Sequence, residues 1–212
     1  MPVLKEATLQ QVREHFEDAA LQSFITRGFS GSTTRQIAAA AGLTAGAIYT
    51  HYPSKEALFA AVAAKYQARL RTDENPIVRV VRRTRFPFDV PELAAAIKQL
   101  IKKHRAYWLL WYVDVIEFHG RHFQSRLAPE NVLALPEMKR RVKLLRARKL
   151  LRIPPEQAFL MVYMHLFNYS LVEILFGGHG HYGVGDDKAV RHMTKVFLGG
   201  LLVPGADRID AG

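Results

Sequence analysis

Cysteine is absent from all 212 residues. Disulfides, thiol catalysis and thiolate metal sites are thereby excluded together. The absence suits a reducing compartment, and the protein is expected to be cytoplasmic. The N-terminal MPVLKEATLQQ lacks the apolar core of a secretory signal, so no leader is predicted. Long, clean hydrophobic runs are missing as well. The most apolar stretch, residues 158–176, is broken by His165, Asn168 and Glu173, and a membrane span should be longer and cleaner. No membrane partner is expected. Acidic residues are scarce beside basic ones: 19 Asp and Glu face 30 Lys and Arg, a net charge of +11. A polyanionic partner suits that imbalance. The excess is modest over residues 1–72 and densest in KRRVKLLRARKLLR, residues 139–152, so charge supports a nucleic-acid reading without carrying it. Alternating apolar and polar runs of the strand type, internal repeats and low-complexity tracts are also lacking.

What is present is helical periodicity. Leu9, Val12, Phe16, Ala20 and Phe24 recur at three and four residues, one stripe of an amphipathic helix. Gly28 is placed to end it in a left-handed cap. Two short helices are predicted over 33–41 and 44–52, then a long one opening at Ser54, a natural cap after Pro53. Residues 77–90 are ambiguous between a helical turn and a loop. Further helices are predicted over 91–123, with an interruption near His104–Arg105, and over 137–152, 155–176 and 187–202. The expected fold class is all-α.

The segment TTRQIAAAAGLTAGAIYTHYPSKEALF, residues 33–59, places two short helices around a tight turn at Gly42. That is the helix-turn-helix pattern. Thr33 or Thr34 can cap the first helix, and Thr44 the second. Thr44, Ala45, Gly46 and Ala47 form the leading turn of the second helix. A recognition helix enters the major groove N-terminus first, and small side chains let its backbone approach the base edges. Ile48 and Tyr52, four apart, should pack inward. Tyr49, Thr50 and His51 should face outward with groups suited to phosphates or bases, and Lys55 can reach the backbone as a point charge.

Together with AALQSFITRGF at residues 19–29, this segment resembles the N-terminal pattern of the TetR family of bacterial transcription regulators. Two departures are visible: Tyr52 stands where the family usually has Phe, and Pro53 follows it. The resemblance covers roughly residues 12–60. It implies an N-terminal helix-turn-helix domain over 1–54 and a helical effector-binding and dimerisation domain over 55–212. By it, Thr34 and Arg35 would touch the DNA backbone or an edge base. Thr44, Ala45, Gly46 and Ala47 would sit at the bases, with Tyr49, Thr50, His51 and Lys55 on or near phosphates. It further implies a small-molecule effector pocket in the C-terminal part and a homodimer made by the last two helices.

Three weaker signals remain. GHGHYG, residues 178–183, satisfies a glycine fingerprint for dinucleotides, but it follows a helix and not a strand, so it is rejected. His119 with His122 and Glu117, and His179 with His181, form pairs and not the three or four convergent ligands a metal needs, so neither metal nor cofactor is expected. The spacing of His104, Trp108, Trp111, Val115, Phe118 and His122 fits either core packing or one apolar wall of an effector pocket. Val190, Met193, Phe197 and Leu201 form a seam on the last helix, buried either within one chain or between two.

The sequence therefore reads as a homodimeric, ligand-responsive DNA-binding regulator, a repressor released from a palindromic operator by a small, largely apolar effector. The alternatives are an effector-independent or activating DNA binder, or a helical enzyme built on Asp114, Glu117, His119 and His122. No catalytic residue is assigned.

Overall fold

The structure is a computed structural model and describes residues 2–69, 75–123, 130–178, 180 and 182–206. Eleven α-helices, α1 to α11, are found among the described residues, and their only β-type pairing is an isolated bridge between Leu151 and Leu202. The all-α expectation holds. The chain divides into two compact units. The first takes residues 1–71 and 104–127; the second takes 72–103 and 128–212.

In the first unit, α1 (Pro2–Arg27) packs against α2 (Thr34–Ala40), α4 (Lys55–Arg69) and α7 (Arg105–Phe118), and α3 (Ala45–His51) packs against α2. The stripe on α1 is buried at Phe16, Ala20 and Phe24, whereas Leu9 is exposed. Gly28 ends α1 at φ 75°, with its N–H donating to the Phe24 carbonyl. Of the two candidate threonines, Thr33 caps α2 in a reciprocal box with Gln36. Gly42, at φ 71°, closes α2 in a Schellman turn: its N–H reaches Ala39 and that of Leu43 reaches Ala38. Thr44 occupies the cap position of α3 without a side-chain bond, while Ser54 Oγ accepts from Ala57 N and caps α4.

In the second unit, α6 (Val90–Lys103) buries Leu93, Ile97, Leu100 and Ile101 against α5 (Pro76–Val81) and α10 (Pro155–Leu175). The ambiguous 77–90 region thus begins as a short helix, opened by Asn75 and Pro76. The expected interruption separates α6 from α7 at His104. The short α8 (Glu130–Leu133) precedes the basic α9 (Pro136–Ala147), which ends five residues before the predicted limit. α10 is long and apolar enough to cross a membrane, yet 56% of its most apolar window is buried in the fold, as befits a core helix. α11 (Asp186–Leu201) packs on α6.

Two of the four seam residues expected at a dimer interface are buried within the single chain. Met193 and Leu201 are 7% and 6% exposed within the single chain, and Phe197 lies edge-on to His165 of α10. Val190 is half-buried on the same side. These residues dock α11 onto its own unit. The apolar side chains left outside are Met161, Met164 and Val172 on α10 and Val196 on α11.

Candidate nucleic-acid interface

Residues 33–52 form the surface that the sequence singled out. Thr44, Ala45, Gly46, Tyr49 and Thr50 are exposed, Ala47 and His51 are half-buried, and Ile48 and Tyr52 are buried. A Cβ at Gly46 would meet nothing within 4 Å, so the leading turn of α3 is open to approach. Arg35 is exposed on α2. Thr34 Oγ1 lies 3.2 Å from the Tyr49 hydroxyl, which ties the start of α2 to the outer face of α3. His51 rests against Phe16 at a ring separation of 5.9 Å.

The departure at Tyr52 finds its partner in α1. Its hydroxyl donates to Glu17 Oε1 at 2.7 Å, and Lys65 of α4 pairs with Glu17 and Asp18 at 3.1 Å each. Burial, with the bond to Glu17, pushes the Tyr52 hydroxyl up to about 12. The end of α3 is thus bonded to α1 through Glu17, which α4 holds in turn through Lys65. Removing the hydroxyl in Tyr52→Phe leaves Glu17 one donor fewer in a buried setting, at a cost of about 1–2 kcal/mol. Urea denaturation measures that loss directly, and unchanged stability would show the bond to be dispensable.

Lys55 is committed inward. Its ammonium donates to the carbonyls of Phe29 and Ser32 at 2.8 and 2.7 Å and lies 4.1 Å from the Phe29 ring centroid. It clamps the α1–α2 loop before any phosphate is reached. The same loop is held from the other side by Glu117 of α7. That carboxylate accepts from Phe29 N at 2.6 Å, from Ser30 N at 2.7 Å and from the Ser30 hydroxyl. Burial alone would raise its pKa, but the bonds from Ser30 and Phe29 and the charge of Lys55 outweigh it and hold the carboxyl below its usual range. A Cβ on Gly28 would lie 2.7 Å from Glu117 Oε1, so glycine is needed there for space as well as for its positive φ. Local spacing marks Glu117 as a metal or catalytic candidate beside His119 and His122. Its partner lies 87 residues away, a distance that no local spacing encodes.

Glu117→Ala strips three donors of their acceptor and should lower stability by about 1–3 kcal/mol. The sign with pH follows from the depressed pKa. The contribution is full above the unfolded carboxylate value and disappears as pH falls through the lower folded value. Denaturation from pH 7 to pH 3 should show the variant and parent converging toward the acid end. A constant gap would deny the carboxylate this role.

The expected pocket stripe is also corrected. α7 stops at His119, which takes a left-handed φ of 55°, so His122 lies beyond the helix and shares no helical face with Phe118. Phe118 and His122 belong to an aromatic cluster with Phe29 and Phe59, at ring separations of 4.6–5.0 Å. His122 Nδ1 sits 2.6 Å from the fully buried Asp114. Val115 is 42% exposed, Trp108 is buried, Trp111 is half-buried and His104 occupies the cap position of α7. The six residues therefore do not form one wall. Among the described residues, no three His, Asp or Glu side chains converge as a metal site would require. His179 and His181 lie outside the described residues.

Residues 18–62 match the family profile described as bacterial regulatory proteins, tetR family. The HTH-type transcriptional regulator SrpR of Pseudomonas putida is 38% identical over 76 residues, which cover 36% of this chain and 36% of that protein. The HTH-type transcriptional repressor AcnR of Corynebacterium diphtheriae is 34% identical over 84 residues, 39% of this chain and 44% of that one. The chain thus aligns with less than half the length of either curated relative. A solved TetR-family transcription regulator from Marinobacter aquaeolei shares the fold over nearly the whole length. Its TM-score is 0.56 at 15% identity, covering 93% of this chain and 98% of that one. Residues 18–62 thus match the tetR-family profile, and the helical fold is the one seen in that solved regulator.

Proposed function

We propose that this protein is a cytoplasmic, homodimeric, DNA-binding transcriptional repressor that responds to a small-molecule effector, and not an enzyme. The observation that carries the proposal is the exposed, small leading turn of α3, Thr44–Ala47, braced from behind by Ile48 and Tyr52. Small residues at that turn allow the backbone to approach base edges in the major groove. Residues 1–54 would make the DNA contacts. Thr34 and Arg35 would reach the backbone or an edge base, and Tyr49, Thr50 and His51 would meet phosphates or bases. Lys55 would act chiefly by positioning the α1–α2 loop, given its two internal carbonyl bonds. Residues 55–212 would dimerise and receive the effector. The repressor sense follows the name of the corynebacterial relative.

Two copies are needed to read a two-fold operator. The surface that fits a second copy is the outer face of α10. Met161, Met164 and Val172 are 58%, 42% and 36% exposed there, with Val196 of α11 at 71%. Large apolar side chains aligned on one helix face are costly to leave in water. The effector would then act by favouring a state in which the two recognition helices no longer match successive major grooves. Its effect can be no larger than its differential affinity for the two states.

The enzyme alternative loses its parts to structure: Asp114 is engaged by His122, and Glu117 by the α1–α2 loop. The test is retention of particular genomic duplexes against excess random competitor DNA, followed by titration with a small-molecule panel. Selective retention that one compound class reverses supports the reading. Retention indifferent to every compound would favour an effector-independent DNA binder.

A further inference from the structure

Most of the positive charge lies away from the unit that carries the recognition helix. The first unit holds 11 Lys and Arg against 7 Asp and Glu; the second holds 19 against 12. Part of that excess is gathered at one place. Arg79, Arg82, Arg83 and Arg85 fall within seven positions, all are exposed, and all line a groove of about 750 Å³ between α5 and α6. The floor is apolar, with Val80, Ala95 and Ala96.

The arginines stand on a fixed scaffold. The buried Asp89 accepts from the Thr84 hydroxyl and from Arg85 N, both at 2.8 Å. Thr84 Oγ1 in turn accepts from Phe86 N. Arg141 of α9 clamps the same turn from outside by donating to the carbonyls of Phe86 and Arg85 at 2.7 and 3.0 Å. Phe86 itself is buried against Phe159 of α10. Of the two carboxylates in the groove, Asp89 is consumed by this turn. Glu92 meets Arg85 at 3.6 Å, an exposed pair of little strength. Among the described residues of the groove, Arg79, Arg83 and Arg85 therefore face one available carboxylate, Glu92.

We propose that this groove binds a small organic di- or triphosphate, its phosphates among the arginines and its less polar body on the Val80–Ala95–Ala96 floor. Guanidinium forks match phosphate oxygens in pairs, and several forks together need more than one negative charge to be satisfied. The volume falls in the range of pockets that enclose a ligand of that size. Gathering like charges on α5 and the turn after it also leaves a local repulsion that such an anion relieves. The inference rests on the ligand-responsive reading for its consequence but not for its chemistry, and it gives the expected apolar effector a polyanionic head.

The test is calorimetry on the full chain with pyrophosphate, ADP, ATP and citrate at matched ionic strength, repeated on Arg79→Gln/Arg83→Gln. These two side chains are exposed, so the double variant should keep its melting temperature. One site per chain for ADP or ATP is expected, with affinity falling tenfold or more in the double variant. Pyrophosphate should bind to the same site more weakly, because it lacks a body for the apolar floor. No binding, binding unchanged in the variant, or citrate binding as well as ADP would overturn the proposal. So would a variant whose only defect is weaker DNA binding, which would assign the arginines to a nucleic-acid backbone. Operator release by the bound nucleotide is scored separately. Binding without release leaves the groove assignment standing and counts against an effector role, whereas release without binding at these arginines does the reverse.

Discussion

Gly46→Glu should abolish sequence-specific DNA binding while leaving the fold intact. The position is exposed, and a side chain added there meets nothing within 4 Å, so no core contact is lost. Replacing glycine inside a helix also removes a conformational penalty of about 1 kcal/mol. The variant should therefore melt no lower than the parent. Its carboxylate would stand at the leading turn of α3, where the backbone has to approach base edges, and would add bulk and a charge facing phosphates. Specific affinity should fall by at least the roughly 10³-fold that separates specific from non-specific binding. Gly46→Ala provides the control, since a methyl group is tolerated at base edges and should retain much of the affinity. Parent-level binding by the glutamate variant, with melting unchanged, would remove α3 from the DNA contact.

Met161→Asp with Met164→Asp should convert the proposed homodimer to a folded monomer. Both side chains are exposed on the single chain, so the substitutions cost the protomer little. In the dimer they would bury four carboxylates in an apolar contact, which is prohibitive unless they are paired. Sedimentation should give a single species of half the parent mass with an unchanged helical spectrum. Binding to a two-fold site should weaken steeply, because the half-sites would be occupied independently. Met193→Asp should behave differently. Met193 is buried within its own unit, so a charge there destabilises the protomer by several kcal/mol before assembly is at issue. If the α10 variant stays dimeric while Met193→Asp yields a folded monomer, the interface lies on the original seam.

The contrast between those two variants shows what the sequence could and could not convey. Helix periodicity locates apolar residues on a face, but it does not say which neighbour the face meets. The Val190–Met193–Phe197–Leu201 seam was legible as apolar, but not that Met193 and Leu201 are covered within their own chain. The same limit explains the pocket stripe. Spacing from His104 to His122 extends smoothly only if the helix continues, and it stops at His119 in a left-handed conformation that a non-glycine residue does not advertise. The helix-turn-helix segment was legible in detail because its information is local. Gly28, a threonine cap at Thr33 or Thr34, the turn at Gly42 and the inward Ile48 and Tyr52 are each set within a few residues, and the structure picks Thr33 for the cap. Long-range bonds were not legible: Tyr52 to Glu17, Lys55 to Phe29 and Glu117 to Ser30 join residues 26 to 87 positions apart, a pairing set by tertiary packing.

On the proposed function, the leading turn of α3, Thr44–Ala47, reads base sequence. The most direct measurement is selection of duplexes from a random pool by the full-length protein, with Gly46→Glu carried through the same rounds. The parent should enrich a two-fold symmetric site with half-sites about one or more helical turns apart, and the variant should enrich nothing. A pool that stays random with the parent, or the same site emerging with both proteins, would contradict the claim.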